Sequence, residues 1–160
     1  HKFDEESFKL KANLHPKELS LYLAKEKALS LSDDFEDLIL GCDQICLMNN
    51  EIFSKPLSEE KAIQNLKKLS GKTHELIGSY VFVKQGKTIM SETVVSKMTM
   101  KNLTEKDIMD YVMLDKPLQS CGSYMIEKNG YSLFSEVTGS LEAINGLPLG
   151  YLIDKLQNNV

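Results

Sequence analysis

The fold of this chain depends on residues 35–56, which read FEDLILGCDQICLMNNEIFSKP. The apolar run Leu38–Leu40 has the length and composition of a buried strand, and Gly41 after it permits tight backbone geometry. Asp43 then places a carboxylate at the end of that strand, and a polar turn leads back towards Lys55. A carboxylate at the mouth of a buried strand, with a lysine one hairpin away, suits a metal-bound phosphate. The same spacing is more often that of a plain hairpin, in which both side chains are ordinary turn residues.

Length and composition limit the possible classes of protein. The chain has 160 residues, of which 42% are hydrophobic and 26% charged, so residues 1–160 are expected to form one globular domain, in one piece or in two lobes. The net charge is -4, and all 19 basic residues are lysines. We therefore expect no broad basic face for nucleic acid, and no site can use the bidentate guanidinium of an arginine.

The cysteines and the hydropathy pattern indicate a reducing compartment. Cys42 and Cys46 do not have the Cys-x-x-Cys spacing of a redox or zinc pair, and Cys121 stands far along the chain. We interpret all three as small apolar residues. The sequence shows no membrane-spanning run and no signal-peptide pattern, which predicts a cytoplasmic protein without a membrane partner.

Helical and strand patterns alternate along the chain and predict an α/β fold with a mixed sheet. Helix starts are marked by Pro16, by the capping residues Ser58 and Thr104, and by the segment 146–149 before the last helix. Strands are predicted at Leu38–Leu40, at His74–Val83 paired with Thr88–Met100, and at Tyr131–Val137. Cys121–Glu127 is predicted to be a strand or an extended loop, and Gly139–Asn145 a connection.

Several common catalytic motifs are absent from the sequence. It contains no phosphate-binding P-loop, no dinucleotide-binding glycine fingerprint and no nucleophile elbow. The histidines His1, His15 and His74 are too far apart for metal-ligand spacing, and His74 is interpreted as a structural residue. Carboxylates and lysines are the plentiful reactive groups, which favours metal-assisted chemistry on phosphates if the protein is an enzyme.

The order of short motifs resembles the Maf family of nucleoside triphosphate pyrophosphatases, also known as septum-formation proteins, in its proteobacterial branch. The resemblance extends over nearly all of the chain. Its motifs are Asp4-Glu5, Leu23–Ala28, Gly41–Gln44, Phe53–Pro56, Leu69–His74, Gly122–Tyr124 followed by Glu127, and Gly146–Leu149. Each motif is weak alone, but seven in the family's order form a specific pattern.

The resemblance implies a fold and a reaction. The expected fold is the elongated α/β architecture of the inosine-triphosphate pyrophosphatases, with helices on both sides of the sheet and a central cleft. Family members usually form homodimers, so a homodimer is expected here. The expected reaction is hydrolysis of a nucleoside triphosphate to a monophosphate and pyrophosphate. Family members act on dTTP, UTP or modified nucleotides in a house-cleaning role, with Mg²⁺ or Mn²⁺ as cofactor.

Residue roles are implied position by position. Asp43 would be the central acid, as base for water or as metal ligand, with Glu5 as a metal or water partner. Lys27 and Lys55 would bind phosphate oxygens as point charges. Glu127 stands where the family usually has a base-recognition glutamine, and an ionised carboxylate accepts hydrogen bonds but cannot donate them. We therefore expect an altered base preference.

Three departures from the family pattern bear on activity. The family's Ser-x-Ser-x-Arg-Arg loop, which grips the triphosphate, has no counterpart in these residues, and we expect it upstream of His1. Ser140 stands where the family has a carboxylate, for which Glu142 could substitute at a shifted position. Lys116 replaces the acidic residue of the Gly-Glu-Pro turn. The alternative to a pyrophosphatase is therefore a catalytically weak nucleotide-binding protein that acts in septum formation.

Overall fold

The computed structural model describes residue 4 and residues 13–158 of the chain. Its longer helices are α1 (Pro16–Leu29), α2 (Glu59–Leu69), α3 (Glu105–Asp115) and α5 (Leu149–Asn158), with a four-residue helix α4 (Leu141–Ile144). Its strands are β1 (Ile39–Met48), β2 (Glu51–Phe53), β3 (Thr73–Lys84), β4 (Lys87–Met100) and β5 (Phe134–Thr138). Two short 3₁₀ turns lie at Cys121–Ser123 and Gly130–Leu133. The predicted α/β class is confirmed.

The five described strands form one sheet in the order β2-β1-β3-β4-β5. β2 pairs with β1 and β5 pairs with β4, both antiparallel. Two-residue turns with positive φ join β1 to β2 (Asn49-Asn50) and β3 to β4 (Gln85-Gly86). Such turns match the twist of antiparallel strands, whereas parallel neighbours need a long crossover between them. The β3–β4 hairpin is therefore confirmed as predicted.

Contacts divide the described chain into two compact units. The first contains the described residues up to Gln44, Ile77–Val94 and those from Gly146 onward; the second contains Ile45–Leu76 and Val95–Asn145. β1 and β4 pass from the first unit into the second, and β3, which lies between them in the sheet, passes back. Neighbouring strands thus run in opposite directions, and the prediction of a mixed sheet is wrong for the described strands.

Two other local predictions also need correction. The strand expected at Leu38–Leu40 continues to Met48, so Asp43 lies within a strand and not at its mouth. Cys121–Glu127 is neither a strand nor an extended loop but a 3₁₀ turn followed by a further turn, because Gly122 and Ser123 both have positive φ. Such backbone angles do not fit a strand.

Two small apolar clusters lie among the described residues of the first unit. In one, Ala24 and Ala28 of α1 pack with Val81 and Val83 of β3. In the other, Tyr80 and Phe82 of β3, Met90 of β4 and Leu152 of α5 are buried together. In the described part of the chain, no helix is both long enough and apolar enough to cross a membrane.

The second unit has one larger apolar core. Its buried side chains come from β1–β4, from α2 and α3, and from the segment 124–144: they are Cys46, Met48, Phe53, Ala62, Leu66, Leu69, Leu76, Met98, Met100, Ile108, Tyr111, Val112, Tyr124, Ile126, Leu133, Phe134 and Ile144. His74, 1% exposed, lies against this core, where its Nε2 is 2.7 Å from the hydroxyl of Tyr124. Burial lowers the pKa of His74 to about 4. The interpretation of His74 as a structural residue agrees with this burial.

The buried imidazole predicts a pH dependence of stability. An unfolded chain protonates this histidine near pH 6.5, whereas the folded protein keeps it neutral down to pH about 4. The unfolded state thus gains protons first, and stability is lost as the pH falls from 6.5 towards 4. The loss from this group at pH 5 is about 2 kcal/mol.

Urea unfolding at pH 7.5 and pH 5.0 tests this prediction. His74→Gln removes the titrating group and keeps a polar side chain beside Tyr124, so its free energy of unfolding is expected to fall less between the two pH values than that of the wild type. The control is His15→Asn, at the exposed N-cap of α1, which is expected to keep the wild-type dependence. Equal dependence in wild type and His74→Gln would refute the prediction.

Candidate functional site

Asp43 and Lys27, two residues singled out in the sequence, meet in the first unit. Lys27 Nζ of α1 donates to Asp43 Oδ1 of β1 at 2.7 Å. The carboxylate side chain is 3% exposed and the lysine side chain 16%. A charged pair with so little exposure is costly to desolvate, so a purely stabilising role explains it poorly. The pair is therefore a candidate for chemistry on a charged substrate.

Gly41 is the reason that the helix carrying Lys27 can reach this strand. A Cβ atom at position 41 would lie 2.0 Å from the carbonyl oxygen of Ala24 and 2.8 Å from the Cβ of Ala28. Ala24 and Ala28, four residues apart, are on the same face of α1, and Lys27 lies beside them at the edge of that face. Gly41 and Asp43 point to the same side of β1, because side chains alternate along a strand. Close backbone packing thus places the ammonium beside the carboxylate.

Cys42 lies between Gly41 and Asp43 but does not have the properties of a nucleophile. Burial raises the pKa of its thiol, and the nearby Asp43 raises it further, although Lys27 acts in the opposite direction. A thiol with a raised pKa is protonated at neutral pH and reacts slowly. This agrees with the interpretation of Cys42 as a small residue beside the site.

The other predicted site residues lie elsewhere or outside the described chain. Lys55 is exposed and belongs to the second unit, in the segment between β2 and α2. Glu127 is also exposed and belongs to the second unit, in a turn after the first 3₁₀ segment. Glu5 lies outside the described residues. The roles assigned to Asp43, Lys27, Lys55, Glu127 and Glu5 remain predictions.

The positions that depart from the family pattern have local structural roles. Ser140 caps α4, where its hydroxyl accepts a hydrogen bond from the backbone N–H of Ala143 at 3.1 Å. Glu142, the candidate substitute carboxylate, is exposed on that helix. Lys116 is the exposed C-cap of α3, with φ of 46°. Neither Ser140 nor Lys116 supplies a carboxylate.

Two residues that support predicted site residues, one in each unit, were not identified as such from the sequence. Gly41 was interpreted as permitting tight backbone geometry and as part of the Gly41–Gln44 motif, but its contact with a helix was not predicted, although the small residues Ala24 and Ala28 at helical spacing are a signal for close packing. Asp115, the last residue of α3, directly precedes Lys116 and is 6% exposed. Its carboxylate accepts two hydrogen bonds from Asn129, in the turn that carries Glu127. The signal in the sequence was a carboxylate at position 115, one residue before position 116, where the family pattern has an acidic residue and this chain has Lys116.

A metal ion could be held at Asp43 but not by a cluster of protein ligands among the described residues. Within residue 4 and residues 13–158, no three His, Cys, Asp or Glu side chains are placed to bind an ion together. Mg²⁺ in phosphate-processing sites is commonly held by one or two carboxylates together with the substrate's own phosphates. Asp43 alone therefore fits such an ion when a triphosphate supplies the remaining oxygens.

Comparisons with known proteins show which family the chain resembles. Residues 1–159 match the family described as Maf-like protein. The chain is 40% identical over 157 residues to a nucleoside triphosphate pyrophosphatase of Legionella pneumophila, an alignment that covers 97% of this chain and 78% of the relative. It is 39% identical over 160 residues to a 7-methyl-GTP pyrophosphatase of Bartonella quintana, covering 98% and 81%. A 7-methyl-GTP pyrophosphatase of Brucella abortus is 36% identical over 145 residues, covering 89% and 73%.

Proposed function

The chain belongs to the Maf family, and we propose that this nucleoside triphosphate pyrophosphatase uses Asp43 and Lys27 for its reaction. Water would attack the α-phosphorus and break the bond to the β-phosphate, giving a nucleoside monophosphate and pyrophosphate. The observation that supports these roles is the 2.7 Å ion pair between a lysine and a nearly buried carboxylate. Buried charges of this kind are concentrated at functional sites.

Asp43 would act on the water or on a divalent ion. An ionised carboxylate can accept a proton from water or coordinate a cation, and its place within β1 holds it rigidly. A bound Mg²⁺ or Mn²⁺ would neutralise phosphate charge and polarise the attacked phosphorus. Glu5, outside the described residues, is the proposed second carboxylate of this ion.

Lys27 and Lys55 would bind phosphate oxygens. An ammonium has three N–H donors, so Lys27 can hold Asp43 and also donate to a phosphate. The ion pair fixes the orientation of the carboxylate before substrate arrives, which is how preorganised sites lower a barrier. Lys55 is exposed, and its long side chain would supply a mobile positive charge.

Glu127 supports a preference for a guanine base, with 7-methylguanine the best candidate. The Watson–Crick edge of guanine offers two neighbouring N–H donors, whereas uracil and thymine offer one donor between two acceptors. A carboxylate can accept both guanine donors, and the positive charge of 7-methylguanine strengthens the attraction. Two relatives, at 39% and 36% identity, are named 7-methyl-GTP pyrophosphatases. We therefore propose 7-methyl-GTP in place of dTTP or UTP as the preferred substrate.

Pyrophosphate release from a nucleotide panel tests this proposal. The wild type, with Mg²⁺ or Mn²⁺, is expected to have a higher kcat/KM for 7-methyl-GTP than for GTP, UTP or dTTP. Glu127→Gln replaces one acceptor with a donor and is expected to lower the ratio of kcat/KM for 7-methyl-GTP over UTP about tenfold. The matched control is Glu136→Gln, an exposed glutamate of β5 in the same unit, which should leave the ratio unchanged.

The same panel separates the alternative function from the main one. If the protein releases no pyrophosphate with either metal but binds 7-methyl-GTP in a separate titration, the alternative of a catalytically weak nucleotide-binding protein would hold. An unchanged nucleotide ratio in Glu127→Gln would remove the base-recognition role of that residue. A single Maf-like domain over residues 1–160, a homodimer and a cytoplasmic location are further parts of this proposal.

A further inference from the structure

A hydrogen bond to α3 holds the start of the turn that carries Glu127. The hydroxyl of Tyr111 accepts a hydrogen bond from the backbone N–H of Met125 at 2.8 Å. Tyr111 is 5% exposed, and the apolar core surrounds its ring. Burial raises the pKa of this hydroxyl, and the charges of Asp115 and Glu127 raise it further. Tyr111 therefore marks the point where the turn meets the core.

Two further hydrogen bonds to α3 hold the end of this turn. Asp115 Oδ2 accepts the backbone N–H of Asn129 at 2.9 Å, and its Oδ1 accepts the side-chain N–H of Asn129 at 2.7 Å. Asp115 also contributes to the raised pKa of the Tyr111 hydroxyl. Tyr111 and Asp115 are four residues apart in the sequence, so their side chains lie on the same face of α3. Glu127 lies midway between the two attachment points, Met125 and Asn129.

The position of Asp115 is unfavourable without these bonds. It is the last residue of α3, where the negative end of the helix dipole repels a carboxylate, and no basic residue lies in the last helical turn. It is also nearly buried, and burying a charge is costly unless hydrogen bonds compensate. The two hydrogen bonds from Asn129 supply that compensation. Both oxygens of the Asp115 carboxylate thus accept hydrogen bonds from the turn, at Asn129.

We propose that Asp115 and Tyr111 are positioning residues for base selection, because they hold both ends of the turn that presents Glu127. This inference rests on the proposed role of Glu127 in reading the base. Neither residue is proposed to touch the nucleotide. A side chain at the tip of an exposed turn can select a base only if the backbone under it is held in one place.

The test compares kcat and KM for 7-methyl-GTP and UTP in the wild type, Asp115→Asn and Tyr111→Phe. Asp115→Asn keeps the shape of the side chain but replaces one acceptor oxygen with an N–H donor, so one of the two hydrogen bonds from Asn129 is lost. The ratio of kcat/KM for 7-methyl-GTP over UTP is expected to fall about fivefold, mainly through the KM for 7-methyl-GTP, while kcat for UTP is unchanged. The matched control is Asp110→Asn, an exposed carboxylate of α3 paired with Lys106, which is expected to keep the wild-type ratio.

A second variant covers the case in which Asp115→Asn does not fold. Asn129→Ala removes only the side-chain N–H donated to Asp115 from an exposed residue, and a smaller fall of the ratio is expected. In a Glu127→Gln background, Asp115→Asn is expected to lower the ratio no further. A further fivefold fall there, or an equal loss of activity on both nucleotides in any background, would overturn the inference.

The outcomes separate this inference from the proposed function. A wild type that turns over 7-methyl-GTP and UTP equally would overturn the role of Glu127, and the inference with it. A selective wild type whose ratio stays the same in Asp115→Asn, Tyr111→Phe and Asn129→Ala would overturn the inference alone.

Discussion

The Asp43→Asn variant should release pyrophosphate about 10²- to 10⁴-fold more slowly than the wild type. The amide keeps the shape of the side chain but loses the negative charge, so it can neither accept a proton from water nor hold a divalent cation. In the wild type, the ammonium of Lys27 donates to Oδ1 of Asp43. In the variant, the amide N–H group would lie near this ammonium, and two donors cannot form a hydrogen bond with each other. The measurement is kcat for 7-methyl-GTP with saturating Mg²⁺ or Mn²⁺, followed by released pyrophosphate.

A folding control is needed for Asp43→Asn, because the change also takes the Asp43 carboxylate from Lys27. Breaking a buried ion pair by changing one partner is costly, so the melting temperature is measured in parallel. Asp37→Asn, at an exposed carboxylate just before β1, is the matched control and is expected to keep wild-type activity. If folded Asp43→Asn protein worked within twofold of the wild-type rate, Asp43 would not be the central acid.

The Gly41→Ala variant should lose both stability and activity. The added Cβ would lie 2.0 Å from the backbone oxygen of Ala24, so α1 and β1 must move apart. Relief by a rotamer change is impossible, because the blocking atom belongs to the main chain. Overpacking of this kind costs about 3 kcal/mol, which lowers the melting temperature of a protein of this size by roughly 6–12 °C. The separation also moves Lys27 away from Asp43, so pyrophosphate release should fall with it.

Thermal unfolding and pyrophosphate release together test the role of Gly41. Gly150→Ala is the matched control: a Cβ on this glycine of α5 would meet no atom within 4 Å, and alanine favours a helix. That variant should be as stable as the wild type or slightly more so, with normal activity. A Gly41→Ala protein with unchanged melting temperature and activity would show that the close approach of α1 is dispensable.

Local signals explain why most elements could be predicted. Ser58 and Thr104 cap α2 and α3 as expected, because their side chains bond to backbone N–H groups only a few residues away. The hairpin between β3 and β4 is equally local, since it closes at Gln85-Gly86. Such features depend on neighbours in the sequence, and they were predicted correctly.

Features that depend on distant contacts could not be predicted in this way. Whether the sheet is antiparallel or mixed depends on the direction in which β3 returns between β1 and β4, which periodicity does not encode. The turns after Cys121 depend on hydrogen bonds to Tyr111 and Asp115 of α3. The contact between Lys27 and Asp43 also required packing of a helix on a strand, although both residues were identified from the motifs.

The packing of α1 on β1 also determines when Lys27 loses its conformational freedom. Glycine and alanine have no side-chain rotamers to lose, so the contacts of Gly41 with Ala24 and Ala28 bring the backbones together without that entropic cost. Ordering a lysine side chain costs up to about 2 kcal/mol, and here this loss occurs during folding, when Lys27 binds Asp43. If Lys27 binds the triphosphate as proposed, the ammonium that receives the phosphate is already held by Asp43, so little side-chain entropy should remain to be lost at Lys27 on binding.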